Sequence, residues 1–318
     1  MRLKLGRELT ILLLLIALVA YMGLTHRNYV HPRTVGNILT NAAYVSVVAV
    51  GMTLVIISGQ IDISVGSVLA VCALVAGTLA KNGVPMLLVV LSSLVMGTLL
   101  GALNGTLVAY ARIPSIIVTL GTLTILRGAV IWWTGGFWVQ PLPPEWKFLG
   151  TTRLLGQPLP IWIALAVLIA ASYLVANTPF GRQIYAVGSN ARAARLAGIN
   201  VPATHFRVLT LNGFLAGLAA MIHVTRFSQV FTNEGQDLEF LVITAVVVGG
   251  TNIFGGSGTI LGSVLGVLFL GATSTALPFL RIDPLWDQAV RGAFILLSVA
   301  ADIVRTGQWR RVIAGGAT

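Results

Sequence analysis

The residues of this sequence that could do chemistry are few, and one acid stands out between two apolar runs. Asp62 lies in SGQIDISVGS (58–67), and no other Asp or Glu occurs in residues 9–144. A carboxylate in such surroundings is costly unless hydrogen bonds hold it in the ionised form. We therefore predict that Asp62, with the hydroxyls of Ser64 and Ser67 and nearby backbone N–H groups, fixes a turn that positions the neighbouring helices. Direct contact between Asp62 and a substrate is the alternative.

Common catalytic and nucleotide-binding motifs are absent from the sequence. It contains no G-x-x-x-x-G-K-[ST] loop for binding ATP, no H-E-x-x-H zinc motif and no G-x-S-x-G nucleophile turn. The four histidines lack metal-ligand spacing, and a single cysteine allows neither an intramolecular disulfide nor a Cys-based zinc site. We therefore expect the chain to have no enzymatic activity and to bind no cofactor or metal ion.

The composition indicates an integral membrane protein. Hydrophobic residues make up 56 % of the chain and charged residues 9 %, and the mean hydropathy is +0.91. Soluble domains usually carry about 25 % charged residues. The net charge of +11 comes from scattered Lys and Arg residues, which fit the positive-inside rule better than a phosphate-binding surface. We expect the chain to contact the lipid bilayer and not nucleic acid.

Ten apolar segments follow one another along the chain, several of them short or interrupted by glycine. They are residues 9–25, 42–58, 64–80, 86–110, 114–134, 160–176, 208–225, 240–254, 259–280 and 286–304. This pattern predicts an all-α integral membrane protein with about ten transmembrane helices, eight being the alternative. The first segment is expected to be an uncleaved helix and not a signal peptide, and residues 1–318 to form one transmembrane domain.

The distribution of Lys and Arg predicts the orientation. An N-terminus in the cytoplasm and an even number of crossings place both termini inside. The basic residues on the cytoplasmic side are then Arg2, Lys4, Arg7, Arg112, Arg182, Arg192, Arg195, Arg207, Arg305, Arg310 and Arg311. Five acids fall outside: Glu145, Glu234, Asp237, Glu239 and Asp283. Because Asp62 is the one acid expected well within the apolar segments, an ion-coupled secondary carrier is disfavoured.

Two further features invite a functional interpretation. The long inside loop 177–207 contains ARAARLAG, a short helical pattern that Asn190 could cap and Gly198 could end. It is either a connector on the membrane surface or a docking element for a soluble partner. Arg127 falls in the middle of an apolar segment, where it could serve helix packing, extend to the membrane surface or line a polar path.

Four stretches carry a resemblance to a known family. They are VGMTLVIISGQIDISVGSVLAV (50–71), ARIPSIIVTLGTLTILRG (111–128), FGRQIYAVGSNARAARLAGINV (180–201) and LEFLVITAVVVGGTNIFGGSGTILGSVLG (238–266). In this order, they are similar to four features of that family: an acid followed by Ser-Val-Gly-Ser, a P-x-x-x-x-T-L-G-T segment, a cytoplasmic coupling loop, and a Glu-containing, Gly-rich segment. On these residues the chain resembles the membrane permease subunit of ABC importers of the ribose, xylose, rhamnose and autoinducer-2 type.

The resemblance implies a set of partners. Separate ATP-binding cassette subunits would use ATP, and a periplasmic or lipid-anchored binding protein would deliver the sugar. A second permease chain would pair with this one, as a homodimer or a heterodimer. Loop 177–207 would be the cytoplasmic coupling loop that contacts the ATPase. Its matching residues are Asn190, Ala193, Ala194, Arg195 and Gly198, while Arg192 stands where the family often has Glu, so the docking surface would suit a particular ATPase.

The implied function is import of a monosaccharide or sugar-like solute across the bacterial inner membrane by alternating access. The stretch WWTGGFWVQPLPPEWKFL (132–149) is similar to permeases of autoinducer-2 importers, and a pentose or deoxyhexose remains the alternative solute. An ion-coupled carrier is the other alternative. The candidate path or turn residues are Asp62, Ser64, Ser67 and Arg127.

Overall fold

The computed structural model describes residues 5–306, which form thirteen α-helices, two short 3-10 helices (Arg27–Val30 and Pro144–Lys147) and one pair of two-residue strands. The elements are α1 (Leu5–Thr25), α2 (Pro32–Ile57), α3 (Val65–Lys81), α4 (Met86–Ala109), α5 (Ser115–Thr134), α6 (Phe148–Thr151), β1 (Arg153–Leu154), β2 (Gln157–Pro158), α7 (Leu159–Asn177), α8 (Pro179–Ser189), α9 (Ala191–Leu196), α10 (Val201–Val224), α11 (Leu238–Val248), α12 (Ile260–Phe279) and α13 (Trp286–Thr306). Each of the ten predicted apolar segments falls on a helix. Of the charges used to predict orientation, Arg2, Lys4, Arg310 and Arg311 lie outside the described residues.

Within residues 5–306, seven helices are long and apolar enough to cross a membrane: α1, α2, α4, α5, α7, α10 and α12. Helices α3 and α11 are also apolar but have 17 and 11 residues. At 1.5 Å per residue they measure about 25 and 16 Å, less than the roughly 30 Å of a hydrocarbon core. The all-α membrane fold with some short helices is thus confirmed. Ten crossings and cytoplasmic termini stay predictions.

Contacts between connections define two ends of the helix bundle. At one end, Val139 and Val230 pair through backbone hydrogen bonds, and Trp146 Nε1 donates to Val224 O. At the other end, Gly256 N donates to Ile57 O. We call the end with connection 135–159 the outer end and the end with loop 177–207 the inner end, following the predicted orientation. The strand pair β1–β2, in connection 135–159, is a small departure from an all-α fold.

Glycine brings α4 and α10 into close contact. Gly97, Gly101 and Gly105 recur at four-residue spacing on one face of α4. Gly97 and Gly101 meet Gly213 and Gly217 of α10, and Gly105 meets Phe206 of the same helix. A Cβ atom added to Gly97 or Gly213 would collide with the carbonyl oxygen of the other residue. Small residues at this spacing allow membrane helices to pack through their backbones. The close approach carries polar residues of α4 and α10 to the same place.

Candidate functional site

Asp62 is buried in the connection between α2 and α3, where three hydrogen bonds compensate its carboxylate. Its Oδ1 accepts from the Ser64 backbone N–H at 2.9 Å and from the Ser64 hydroxyl at 2.6 Å. Its Oδ2 accepts from Asn212 Nδ2 of α10 at 2.8 Å. With 2 % of its surface exposed, the carboxylate depends on these donors instead of water. Asp62 therefore joins the start of α3 to α10.

A chain of polar side chains extends this arrangement to α4 and α5. Asn104 Nδ2 of α4 donates to the Ser64 hydroxyl at 2.9 Å, and Thr122 of α5 donates to Asn104 Oδ1 at 2.7 Å. Asn104, Ser64 and Asn212 are all at most 1 % exposed. Buried hydrogen-bond networks of this kind favour one arrangement of the helices that contribute to them.

The backbone of the Asp62 connection is held by α5. Ser115 Oγ accepts from the Ile61 N–H at 3.2 Å, and Thr119 Oγ1 accepts from the Ile63 N–H at 3.1 Å. These hydroxyls lie four residues apart on one face of the helix. They satisfy N–H groups that a buried, non-helical segment would otherwise leave without acceptors.

The structure separates the four residues proposed for a path or turn. Ser64 contacts Asp62 directly, whereas the Ser67 hydroxyl donates to Ser64 O at 2.8 Å. Arg127 lies elsewhere on α5, and its Nη1 donates to Glu234 O at 2.8 Å. The geometry thus gives Asp62, Ser64 and Ser67 a common turn and Arg127 a different environment. Their roles in transport stay predictions.

Arg127 lines one of two clefts that flank the connection before α11. This cleft has a volume of about 420 Å³ and includes Asn233, Gln236, Asp237 and Glu239 in its lining. The second cleft, of about 450 Å³, shares Asn233, Gln236 and Asp237 with the first and adds His223 and Glu234. His223 Nε2 lies 3.0 Å from Glu234 Oε2. Acids and amides from one short segment therefore face both clefts.

Asp62 is not the only buried acid among the described residues, although the other two lie outside the predicted apolar segments. Glu234 and Glu239 are each 4 % exposed, and Glu239 lies in the first turn of α11. The sequence pattern placed them at the outer surface because they precede an apolar run. In the fold, the Glu239 side chain packs against Gly66 of α3, and the Glu234 carboxylate faces His223 of α10.

The predicted coupling loop, residues 177–207, contains α8, α9 and the first two turns of α10. Asn190 caps α9, since its Oδ1 accepts from the Ala193 N–H at 2.9 Å. After the helix, Gly198 has φ of +81°, a conformation that L side chains rarely adopt. The predicted cap and the glycine stop of this helix are confirmed.

Helix α9 has one anchored face and one free face. Ala194 is buried and packs with Val187 and Val201. Arg192, Ala193 and Arg195 are exposed, and Leu196 is 85 % exposed. An apolar side chain beside two cations at the inner end can contact a soluble protein surface.

The base of this loop packs against two connections, the one between α2 and α3 and the one between α11 and α12. Four glycines form this contact, and we call them the glycine junction: Gly59, Gly188, Gly255 and Gly256. A Cβ atom on Gly188 would collide with Ile57 O, and one on Gly255 would lie 2.9 Å from the Gly59 Cα.

Hydrogen bonds reinforce the glycine junction. Tyr185 of α8 donates to Gly258 O at 2.7 Å, and His205 Nε2 lies 3.2 Å from Ser58 O. The base of the coupling loop is therefore in direct contact with the segment that carries Asp62.

Sequence reasoning missed several of these residues. Gly97, Gly101 and Gly105 were detectable from their four-residue spacing, whereas the glycine junction joins residues that no spacing relates. Among the described residues, no group of three or more His, Cys, Asp or Glu side chains could hold a metal ion.

Comparison with known proteins establishes the family. The family described as "Branched-chain amino acid transport system / permease component" matches residues 34–299, which is most of the chain. The chain belongs to this family. It is a permease subunit of an ATP-binding-cassette importer and a multi-pass protein of the bacterial inner membrane, in agreement with its apolar helices.

Individual relatives extend the comparison. The autoinducer 2 import system permease protein LsrC of Shigella flexneri is 36 % identical over 93 % of this chain and 87 % of its own length. The LsrC proteins of Escherichia coli K12 / DH10B and Salmonella typhi are 36 % and 34 % identical, over 93 % and 92 % of this chain and 87 % and 84 % of their own lengths. No solved structure matches the chain.

Proposed function

We propose that this permease moves a monosaccharide or sugar-like solute into the cytoplasm and that separate ATP-binding cassette subunits supply the energy by using ATP. A periplasmic or lipid-anchored binding protein delivers the solute, and a second permease chain, identical or similar, completes the path. In this proposal the chain itself has no catalytic role and binds no cofactor.

The observation that supports this proposal best is the contact between the coupling loop and the Asp62 segment. Helix α9 exposes Arg192, Arg195 and Leu196 at the inner end, while its base packs on the glycine junction. A displacement of α9 by an ATPase subunit would be passed to Gly59, three residues before Asp62, without a flexible side chain in between. Asp62 would then move α3 relative to α10, which is the type of rearrangement that alternating access requires.

Relatives named as autoinducer 2 import permeases make autoinducer-2 the first solute to test. A pentose or a deoxyhexose is the second. An ion-coupled carrier is the competing function, and the buried acids Asp62, Glu234 and Glu239 are the observation that favours it. Against it, the Asp62 carboxylate has three hydrogen-bond donors and Glu234 pairs with His223, so structural partners account for both groups.

Co-purification tests the proposal. The tagged chain is extracted gently from its native membrane, and the proteins that accompany it are identified. We expect a stoichiometric ATPase with a P-loop. Arg195→Glu should remove that ATPase because it reverses a charge on the free face of α9. Arg153→Glu, the same change on the exposed outer hairpin, should leave it in place.

Two results would contradict the proposal. A chain that purifies alone and takes up solute in ATP-free vesicles along an ion gradient would support the carrier. An ATPase retained equally by the wild type and by Arg195→Glu would remove α9 from the docking surface.

A further inference from the structure

The segment between α10 and α11 descends into the helix bundle along α3. Near the outer end, a Cβ atom added to Gly77 would lie 2.7 Å from Val230. Farther along, Gly66 and Gly235 touch so closely that a Cβ atom on either would collide with the other's carbonyl oxygen. At 1.5 Å per residue, the two α3 positions are about 16 Å apart. Residues 230–235 thus run inward over most of the length of α3.

Backbone of this kind is unusual in a membrane protein. The segment lacks regular helix between Val224 and Leu238, yet it reaches the depth at which α3 begins. Non-helical backbone at membrane depth is tolerated where it is buried in protein or lines a polar cavity. Here it borders two clefts of about 420 and 450 Å³, within the size range of small-molecule sites.

The polar groups around the first cleft suit a hydroxylated, uncharged solute. Asn233 and Gln236 each offer an amide donor and acceptor, and Glu239 offers carboxylate oxygens. Arg127 uses one N–H on Glu234 O, and a guanidinium carries five N–H donors. A sugar hydroxyl both donates and accepts, so it can bond to every member of this set. An anion would be repelled by Asp237 and Glu239, and a cation would be repelled by Arg127. The lining therefore favours an uncharged solute.

We propose that Asn233, Gln236, Glu239 and Arg127 form a site that holds a hydroxylated, uncharged solute within the membrane on its way through the permease. The inference rests on the proposed import function and adds to it the place where the permease contacts its solute. Below the site, the Gly66–Gly235 contact and the Asp62 network close the way toward the inner end. The solute passes only when α3 and the connection before α11 separate at these glycines.

Thiol labelling tests whether the cleft contains water in the assembled transporter. Gln236→Cys is made in the otherwise unchanged chain, since the sole natural cysteine, Cys72, is buried and the wild type serves as the blank. Ile125→Cys is the matched control, because Ile125 is 71 % exposed but lies on an apolar face of α5. Intact cells are treated with a membrane-impermeant maleimide.

We expect Gln236→Cys to react at least about tenfold faster than Ile125→Cys, because thiols ionise and react in water and not in lipid. Ribose, rhamnose and autoinducer-2 are each added at about millimolar concentration. The one that the transporter carries should slow the reaction of Gln236→Cys. Equal labelling of the two variants, or rapid labelling that no carried solute slows, would overturn the site.

Uptake measurements separate this site from the import function itself. Gln236→Ala should lower ATP-dependent uptake at subsaturating solute by about 2- to 10-fold, the range expected for one lost hydrogen bond. Gln157→Ala, on the exposed hairpin, should leave uptake unchanged. Both variants should retain the ATPase. Unchanged uptake by Gln236→Ala refutes the site alone, whereas absence of ATP-dependent uptake in the wild type refutes the proposed import function.

Discussion

Asp62 and Asn212 are 150 residues apart in sequence, yet the Asn212 amide donates a hydrogen bond of 2.8 Å to the Asp62 carboxylate. This bond ties the connection between α2 and α3 to the middle of α10. The Ser64 backbone N–H and hydroxyl donate to the other oxygen of the same carboxylate, Oδ1. A turn that could move freely between two helices is thereby fixed relative to a third.

Removing the Asn212 amide should destabilise the protein. Asn212→Ala leaves Asp62 Oδ2 without its donor in a buried environment, and we expect a loss of about 2 kcal/mol, the typical value for a bond to a charged group. The midpoint of thermal unfolding in detergent should fall accordingly. Asn82→Ala, at the exposed end of α3, is the control and should leave the midpoint unchanged. Equal midpoints for the two variants would contradict a structural role of the bond.

One methyl group added at the α4–α10 contact should destabilise the protein. In Gly101→Ala the new Cβ would lie 2.6 Å from Leu209 O, so we expect a loss of about 1–3 kcal/mol from overpacking. Gly121→Ala is the matched control, because nothing lies within 4 Å of that position. It should gain up to about 1 kcal/mol from helix propensity. Thermal unfolding of both variants in detergent measures the difference, and a stabilised Gly101→Ala would refute the close packing.

The glycine junction should be needed for coupling and not for ATPase docking. Gly188→Ala would force the base of the coupling loop away from Ile57, and we expect uptake to be lost while the ATPase still co-purifies. Gly36→Ala, with open space around its α carbon, should retain both properties. Measuring uptake and bound ATPase on the same preparations separates the two effects. Full uptake by Gly188→Ala would exclude the junction from the coupling pathway.

The Asn190 cap should set the affinity of the coupling loop for the ATPase. Asn190→Ala removes the acceptor for the Ala193 N–H, which costs about 1 kcal/mol and corresponds to roughly fivefold weaker binding if α9 must be formed to dock. Asn190→Ser keeps a capping oxygen and should restore binding. Titration of the solubilised permease with the purified ATPase subunit measures both.

A second cap provides the control for this experiment. Asn200 caps α10 in the same manner, accepting from the Ala203 N–H at 3.0 Å. Asn200→Ala should therefore leave ATPase affinity near the wild-type value. If it weakens binding as much as Asn190→Ala does, the effect reflects general destabilisation and the specific role of the α9 cap is refuted.

Features that depend on neighbouring residues could be predicted from the sequence. The apolar runs predicted every membrane helix of the structure, since burial in lipid requires a continuous stretch of apolar side chains. Asn190 and Gly198 predicted the start and end of α9 because a cap acts within one helical turn. The need of Asp62 for nearby donors was also evident, and Ser64 supplies two of them.

Features that depend on how helices face one another appeared only in the tertiary structure. Asn104, Thr122 and Asn212 converge on the Asp62 turn because glycines let α4 and α10 approach closely, and no local pattern contains that information. Arg127 lies on the same helix as Thr122 but donates to Glu234 O and takes no part in this network. Glu239 looked like an outer-surface acid beside an apolar run, but the contact of Gly66 with Gly235 draws the preceding segment inward and buries its carboxylate. Hydropathy is a property of each segment, whereas burial of a polar group is decided by which backbones can touch.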